Sequence, residues 1–387
     1  MWADQWWDEE RGLLWNPPGS FDDHGMEALS MHMVPQSAWY AVDCLQRGLD
    51  ARARRIVDEL VALQYDEPGT IWHGTFARFA EWPHPGSHGR DAVEWIDYDP
   101  NWRQFIGTTF RLIERTWGWD LHEPIDLAIA GEPPDRVSPS YSNIALMKAW
   151  LEQDETYAEE VVRRFEEHGA FAEYNSPTYY GIDLYALALW RVHPPTPRFA
   201  EWGARVEDAL WRDIARWYHP GLRNLCGPYS RAYGMDMTQY VALLGMWLPE
   251  RVLPDVDQPF EHSHDLLMQA SVDVLGGGRT HVEWERGLVS QRITDDRVAT
   301  GWLGTDVMLG GEEGGRYRAQ GQFHPATAHW RDGWLRVRSP NPVNAMVFEP
   351  GVLEVDGDDL TIDQSGTFPG DIEETESGLV LRVSPSR

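Results

Sequence analysis

Leu275-Gly276-Gly277-Gly278-Arg279-Thr280-His281-Val282-Glu283-Trp284-Glu285 divides the chain into two parts with different periodicity. Before it, apolar residues recur at three- and four-residue spacings, which is the pattern of one buried helix face. After it, short runs alternate apolar and polar, as in 281–285, 334–338, 352–361 and 379–383, with Asp-Gly and Ser-Gly turns between them. The spacing predicts helices over 37–48, 51–64, 102–117, 120–130, 143–153, 156–167, 182–192, 197–218, 235–247 and 262–274. Most of these are antiparallel neighbours joined by short or proline-rich loops. The expected fold is therefore mainly α with a β tail. Residues 1–275 form an incomplete or complete (α/α)5–6 toroid that carries the catalytic site, and 276–387 form an antiparallel, sandwich-like β-domain.

A chain of 387 residues with 42% hydrophobic content has length for two domains and apolar surface for a sizeable core. A net charge of −29 argues against nucleic acid and anionic membrane surfaces as partners. No apolar run reaches membrane-spanning length, and Met1-Trp2-Ala3-Asp4-Gln5-Trp6-Trp7 carries neither the basic nor the apolar region of a signal peptide, so a soluble cytoplasmic protein is expected. The two cysteines, Cys44 and Cys226, are too few for a disulfide framework and read as small buried hydrophobes. Tryptophan occurs 21 times, and such rings either fill a core or make flat platforms for sugars and cations. Lys148 stands alone among the arginines and reads as a tolerated surface residue.

Polar, aromatic loops recur once per predicted helix pair, at 66–100, 131–141, 169–181 and 219–234. In a toroid such loops meet at one end, where a cleft forms. The 169–183 loop offers an amide in Asn175 and phenols in Tyr179 and Tyr180, though Asn-Ser-Pro followed by Asp183 also fits turn and capping chemistry. The 224–236 loop repeats the layout with Tyr229, Arg231, Tyr233 and Asp236. A third stretch, 94–104, brings Glu94, Asp97, Tyr98 and Trp102, with Asp99 placed to cap the following helix. Ser138 to Asn143, including Tyr141, resembles another capping loop. Taken singly, His32, His73 and His324 are more readily structural than catalytic. The donors of 261–265, Glu-His-Ser-His-Asp, point to different faces if helical, and no HExxH, DxDxDG, P-loop, GxGxxG-to-helix or GxSxG pattern appears, so neither a metal nor a cofactor is expected. Gly310-Gly-Glu-Glu-Gly-Gly reads as a turn within the β-region.

Helical hairpins followed by a β-domain, together with Phe171-Ala172-Glu173-Tyr174-Asn175-Ser176-Pro177-Thr178-Tyr179, resemble polysaccharide lyases of the heparinase II/III and alginate-lyase type, and more broadly the six-hairpin glycosidases. The resemblance implies a uronate-containing glycan or oligosaccharide cleaved by β-elimination. Asn175 and Arg231 would neutralise the carboxylate, and Tyr179, Tyr180 and Tyr233 would transfer protons. Glu94, Asp97, Tyr98, Trp102, Tyr141, Glu173, Tyr229 and Asp236 would line the substrate. The chain departs from those lyases in lacking an Asn-His pair that can be placed, which leaves the histidine of the family mechanism unassigned. Three other readings stay open: a glycoside hydrolase using two of Glu94, Asp97, Glu173, Asp183 and Asp236; a dehydratase or cyclase of an isoprenoid-like substrate; and a carbohydrate-binding protein without catalysis.

Overall fold

Ten α-helices form among the residues that the computed structural model describes, which are 2–15, 31–133, 135–238, 243–252, 266–276, 281–314 and 322–384. They are α1 (Val34–Gln46), α2 (Asp50–Ala62), α3 (Trp102–Trp117), α4 (His122–Ala130), α5 (Ser142–Glu152), α6 (Glu155–His168), α7 (Tyr179–Val192), α8 (Pro197–Trp217), α9 (Leu243–Trp247) and α10 (Gln269–Val274). Local chemistry sets several starts. Asp154 accepts from the Tyr157 amide to cap α6, and Pro197 opens α8 where no intrahelical donor is needed. Residues 235–238 precede α9 as loop rather than helix, and 239–242 and 261–265 lie outside the described residues.

The helices alternate in character. In α1, α3, α5 and α7 nearly every position is buried, whereas α2, α4 and α6 bury one stripe, such as Ala53, Ile56, Val57 and Leu60 of α2. A helix apolar on all sides belongs inside, and an amphipathic one outside. The contacts follow: each even helix through α8 packs on the odd helix before it, α1, α3, α5, α7 and α9 pack in succession, and α10 touches both α9 and α1. Six tryptophans, Trp39, Trp150, Trp190, Trp211, Trp217 and Trp247, are wholly buried there, so much of the tryptophan excess fills the core.

The β part is larger than a tail. A six-stranded antiparallel sheet has the order β13-β10-β9-β8-β7-β6, with β6 (Gly287–Thr294), β7 (Arg297–Leu303), β8 (Val307–Glu313), β9 (Ala326–Trp330), β10 (Gly333–Arg338) and β13 (Thr361–Ser365). A four-stranded sheet, β11-β12-β15-β14, comprises β11 (Asn344–Glu349), β12 (Val352–Asp356), β14 (Asp371–Glu374) and β15 (Gly378–Arg382). Leu309, Ala328, Leu335 and Val337 of the first sheet meet Ala345, Leu353, Val355 and Leu381 of the second in one apolar layer. The opposite face of the large sheet joins the helical core through Val289, Ala299, Leu303 and Met308. The helical and β parts thus share a core. Short pairings also occur earlier in the chain: β1 (Trp7–Asp8), β2 (Leu13–Trp15) and β3 (His32–Met33) form one sheet, and β4 (Tyr218–His219) pairs with β5 (Asn224–Leu225).

Two expectations are corrected. Residues 281–285 alternate in burial but join no strand ladder; Trp284 packs on Tyr218 at 4.9 Å and Glu285 donates its amide to the Ala215 carbonyl. Gly310 to Glu313 belong to β8 rather than to a turn. The glycine there has a packing reason, because a Cβ on Gly310 would lie 1.7 Å from the Gly227 carbonyl oxygen. Only glycine lets the 224–238 loop press so closely on the sheet. Among the described residues, no helix is long and apolar enough to cross a membrane.

Candidate active site

Pressing that loop onto the sheet brings it against the start of α7. Ser176 accepts from the Tyr179 amide at 3.0 Å and donates to the Arg231 carbonyl, so the residue that caps α7 also fastens the second loop to it. The consequence is a polar cluster at the start of α7. The Tyr179 and Tyr233 hydroxyls lie 2.7 Å apart, and the Arg231 guanidinium lies 4.5 Å from the centre of the Tyr179 ring. Arg231 donates from Nη1 to Glu173 at 3.0 Å and from Nε to Gln322 at 2.6 Å. Glu173 also accepts from Asn143 at the start of α5, at 2.8 Å. Next to Asn143, Ser142 donates to Asp183 at 3.3 Å. Arg231 and Tyr233 are half-buried, whereas Tyr179 and Asp183 are buried.

Burial pushes the Tyr179 phenol well above its ordinary value; Arg231 pulls the other way, and Tyr233 and Glu173 reinforce the rise. Tyr179 is therefore a neutral phenol, and either hydroxyl can donate across its contact with Tyr233. Arg231 thus does not bring the Tyr179 phenol within reach of base chemistry. Burial also pushes Asp183 well above the carboxylate range, with Glu173 adding to it. Burial works against the charge of Arg231, and the Glu173 carboxylate bonded to it favours that charge.

The remaining sequence-predicted residues are distributed more widely. Asn175 is wholly buried with a left-handed φ of 50°, and its amide donates to the Cys226 and Pro228 carbonyls at 2.6 and 2.9 Å, which pins the two loops together. Tyr180 is also sealed in, and it and Tyr174 donate to the two oxygens of Asp213 at 3.0 and 2.8 Å. Tyr229 is buried with its hydroxyl on the Leu225 carbonyl at 2.5 Å. Tyr98 and Trp102 are core residues, the latter against Phe105. Asp97 is buried and held below the carboxylate range by Arg90, which grips it at 2.6 and 2.8 Å. Glu94 and Tyr141 are exposed, and Asp99 accepts from the Asn101 amide in a turn before α3 rather than capping the helix itself. The 94–104 stretch connects to the 131–137 loop, where Arg136 reaches Asn101 at 3.0 Å and also pairs with Glu132. Lys148 is buried on Glu152, not a surface residue.

Residues the sequence did not single out complete the arrangement. Arg297, almost fully buried in β7, binds Glu312 through Nε and Nη2 at 2.7 and 3.1 Å. It also donates to the Ala172 carbonyl at 2.9 Å and to Ser230 at 2.8 Å, the neighbours of Glu173 and Arg231. Its only sequence signal is an arginine within an otherwise apolar strand. Asn143 and Gln322 carried no separable signal. Trp95 holds a left-handed φ of 66° while about half exposed, which is costly for a bulky side chain. Among the described residues, no group of three or more His, Cys, Asp or Glu could hold a metal ion. Cys44 and Cys226 are buried and unpaired with each other.

Asp213 gives a pH test of this buried network. Burial pushes its carboxyl from 3.8 up to about 6, against the hydrogen bonds from Tyr174 and Tyr180. Below about pH 4 folded and unfolded chains both hold the proton, and above about pH 6 neither does. Between them only the folded state holds it, so this group's contribution to stability falls as pH rises from about 4 to about 6, by roughly 3 kcal/mol. In urea titrations, Asp213→Asn is expected to flatten that part of the profile; an unchanged slope would contradict the assignment.

A helical layer shares its core with two packed β-sheets, and a tyrosine–arginine–carboxylate cluster lies where they meet. Residues 1–275 match the family model described as Domain of unknown function (DUF8769), and the chain belongs to that family. No curated protein and no solved structure matches the chain.

Proposed function

We propose that the protein is a carbohydrate-active lyase that cleaves a uronate-containing glycan or oligosaccharide by β-elimination, on a helical part arranged as an (α/α) toroid. What supports the toroid is the succession α1-α3-α5-α7-α9-α10 returning to α1, with buried odd helices and amphipathic even ones around them. The start of α7 and the start of α5 then belong to the same end, and the cluster lies there.

The observation that carries the reaction is the Tyr179–Tyr233 contact of 2.7 Å beside Arg231. Arg231 keeps its charge under all ordinary conditions, and its Nη2 is the edge left for a substrate carboxylate, since Nε and Nη1 hold Gln322 and Glu173. Neutralising that carboxylate acidifies the C5 proton. Tyr233, as phenolate, takes this proton; the C5–H pair becomes the C4–C5 double bond, and the C4–O bond breaks. The same phenol then returns the proton to the leaving oxygen. Tyr179 donates to the Tyr233 oxygen and so favours its charged form. Asn175 and Tyr180 position the loops in this scheme rather than touching substrate.

Hydrolysis fits less well because three of the five candidate acids are engaged separately. Asp97 is held by Arg90, Asp183 is sealed from solvent, and Glu173 is bound to Arg231 and Asn143. Arg231→Ala is expected to raise KM and lower kcat together, since it serves both binding and the developing charge; the combined loss in kcat/KM should be about 10²–10³-fold. Steady-state assays on glucuronan, alginate and pectate check this, and a variant with unaltered kcat would remove Arg231 from the chemical step.

A further inference from the structure

A pocket of about 210 Å³ opens on the other side of the 219–238 loop, between that loop and the β9–β10 turn. His329 of β9 and Trp334 of β10 are cross-strand partners and so share one face of the sheet beneath it. Arg223 and Asp236 approach from the loop, and Arg331 from the turn. His329 is nine-tenths buried or more, and its Nε2 faces the Met235 carbonyl at 2.9 Å and the Tyr229 hydroxyl at 3.3 Å. A carbonyl only accepts, so Nε2 carries the proton and Nδ1 is an acceptor. That Nδ1 is buried without a hydrogen-bond partner among the described residues. The atom is closed to solvent, so His329 forms part of the floor of the pocket.

The other walls narrow its chemistry. Trp334 is half-buried and offers a flat apolar ring, with the Arg336 guanidinium 5.5 Å from its centre. One oxygen of Asp236 accepts from the Thr238 amide and hydroxyl at 2.8 and 2.7 Å; a carboxylate so oriented pairs with hydroxyls. Arg331 is shared with Asp306 at 3.0 Å. Arg223 is exposed, and its backbone is held at a φ of 52°, a conformation an arginine adopts only under local constraint. An aromatic face, hydroxyl acceptors and cationic edges together suit a six-membered polyol bearing a carboxylate.

We propose that this pocket is a binding subsite for one hexuronate unit, stacked on Trp334, with a hydroxyl donating to Asp236 and the carboxylate at Arg223 and Arg331. It deepens the lyase reading, because it names a second place where the same substrate class is held. Asp236 lies three residues beyond Tyr233 on the same loop, which links the subsite to the proton-transfer residue.

Isothermal titration of the full chain with D-glucuronate and D-galacturonate, against D-glucose and D-galactose, tests the subsite apart from catalysis. Binding of at least one uronate is expected in the millimolar range, about tenfold tighter than its neutral counterpart, weakened about tenfold in Trp334→Ala and in Arg223→Ala. Arg223 is exposed, so its variant stays informative if Trp334→Ala fails to fold. Tyr233→Phe should bind like the unmodified protein. Absence of uronate binding, or binding unaltered in Arg223→Ala, overturns the subsite. Glycan elimination that persists alongside either result would leave the lyase reading standing, whereas uronate binding without elimination on any glycan would sink the lyase reading and keep the subsite.

Discussion

Tyr233→Phe is expected to lower turnover of a uronate glycan by about 10²–10⁴-fold, the usual worth of a positioned proton-transfer group. The substitution removes one oxygen and keeps the ring. It takes from the Tyr179 hydroxyl the partner at 2.7 Å. A lost hydrogen bond of this kind costs about 1–3 kcal/mol of stability. The kinetic effect corresponds to about 3–5 kcal/mol of barrier and appears in a population that remains folded. Binding measured by titration should be nearly unaltered, which separates loss of chemistry from loss of the site. Tyr179→Phe should cost less, because a neutral donor is lost rather than the group that moves the proton. Equal effects at the two positions would mean that the roles are shared or reversed.

The largest effect on stability is expected at Arg297. Arg297→Ala leaves the Glu312 carboxyl wholly buried without its partner, and breaking such a pair costs about 3–5 kcal/mol. Against a typical total of about 5–15 kcal/mol this is about a third or more of the stability of an average domain. Replacing both members, Arg297→Met with Glu312→Leu, removes the stranded carboxyl, so most of that loss should be recovered in urea titrations. Activity should not recover with it. The double variant still lacks the donors to the Ala172 carbonyl and Ser230, which hold the two loops beside Glu173 and Arg231. A double variant with full activity would show that the loops keep their places without the sheet.

These residues also mark how far the sequence could be read. Helical periodicity located α1 to α8 within a few residues, because each has a stripe or a core-filling run long enough to count. Of the helix expected over 235–247, Leu243–Trp247 is helical and 235–238 are loop, and at 281–285 alternation recorded one-sided burial without strand pairing. β7 and β8 escaped notice because both are covered on two faces, by the helical core and by the smaller sheet, so they do not alternate. For the site, the two loop motifs were legible as polar and aromatic runs before a helix. Which of their residues point inward was not. Asn175, Tyr180 and Tyr229 look like Tyr179, Arg231 and Tyr233 in sequence, but the former support the loops from beneath. Only packing against Asp213, the Cys226 carbonyl and the Leu225 carbonyl separates the two sets. The Arg297 clamp could not be anticipated, since it depends on a strand 125 residues from Ala172 and 67 from Ser230.

The central claim, elimination at the Tyr233–Arg231 cluster, is tested most directly by the product. Incubation with a panel of uronate glycans should give near-ultraviolet absorbance from a C4–C5 double bond conjugated to the carboxylate. The new non-reducing end should be lighter by one water than the hydrolytic product, and both signals should vanish in Tyr233→Phe. Reducing ends released without absorbance, and with one water added per bond cleaved, would contradict the account and establish hydrolysis instead.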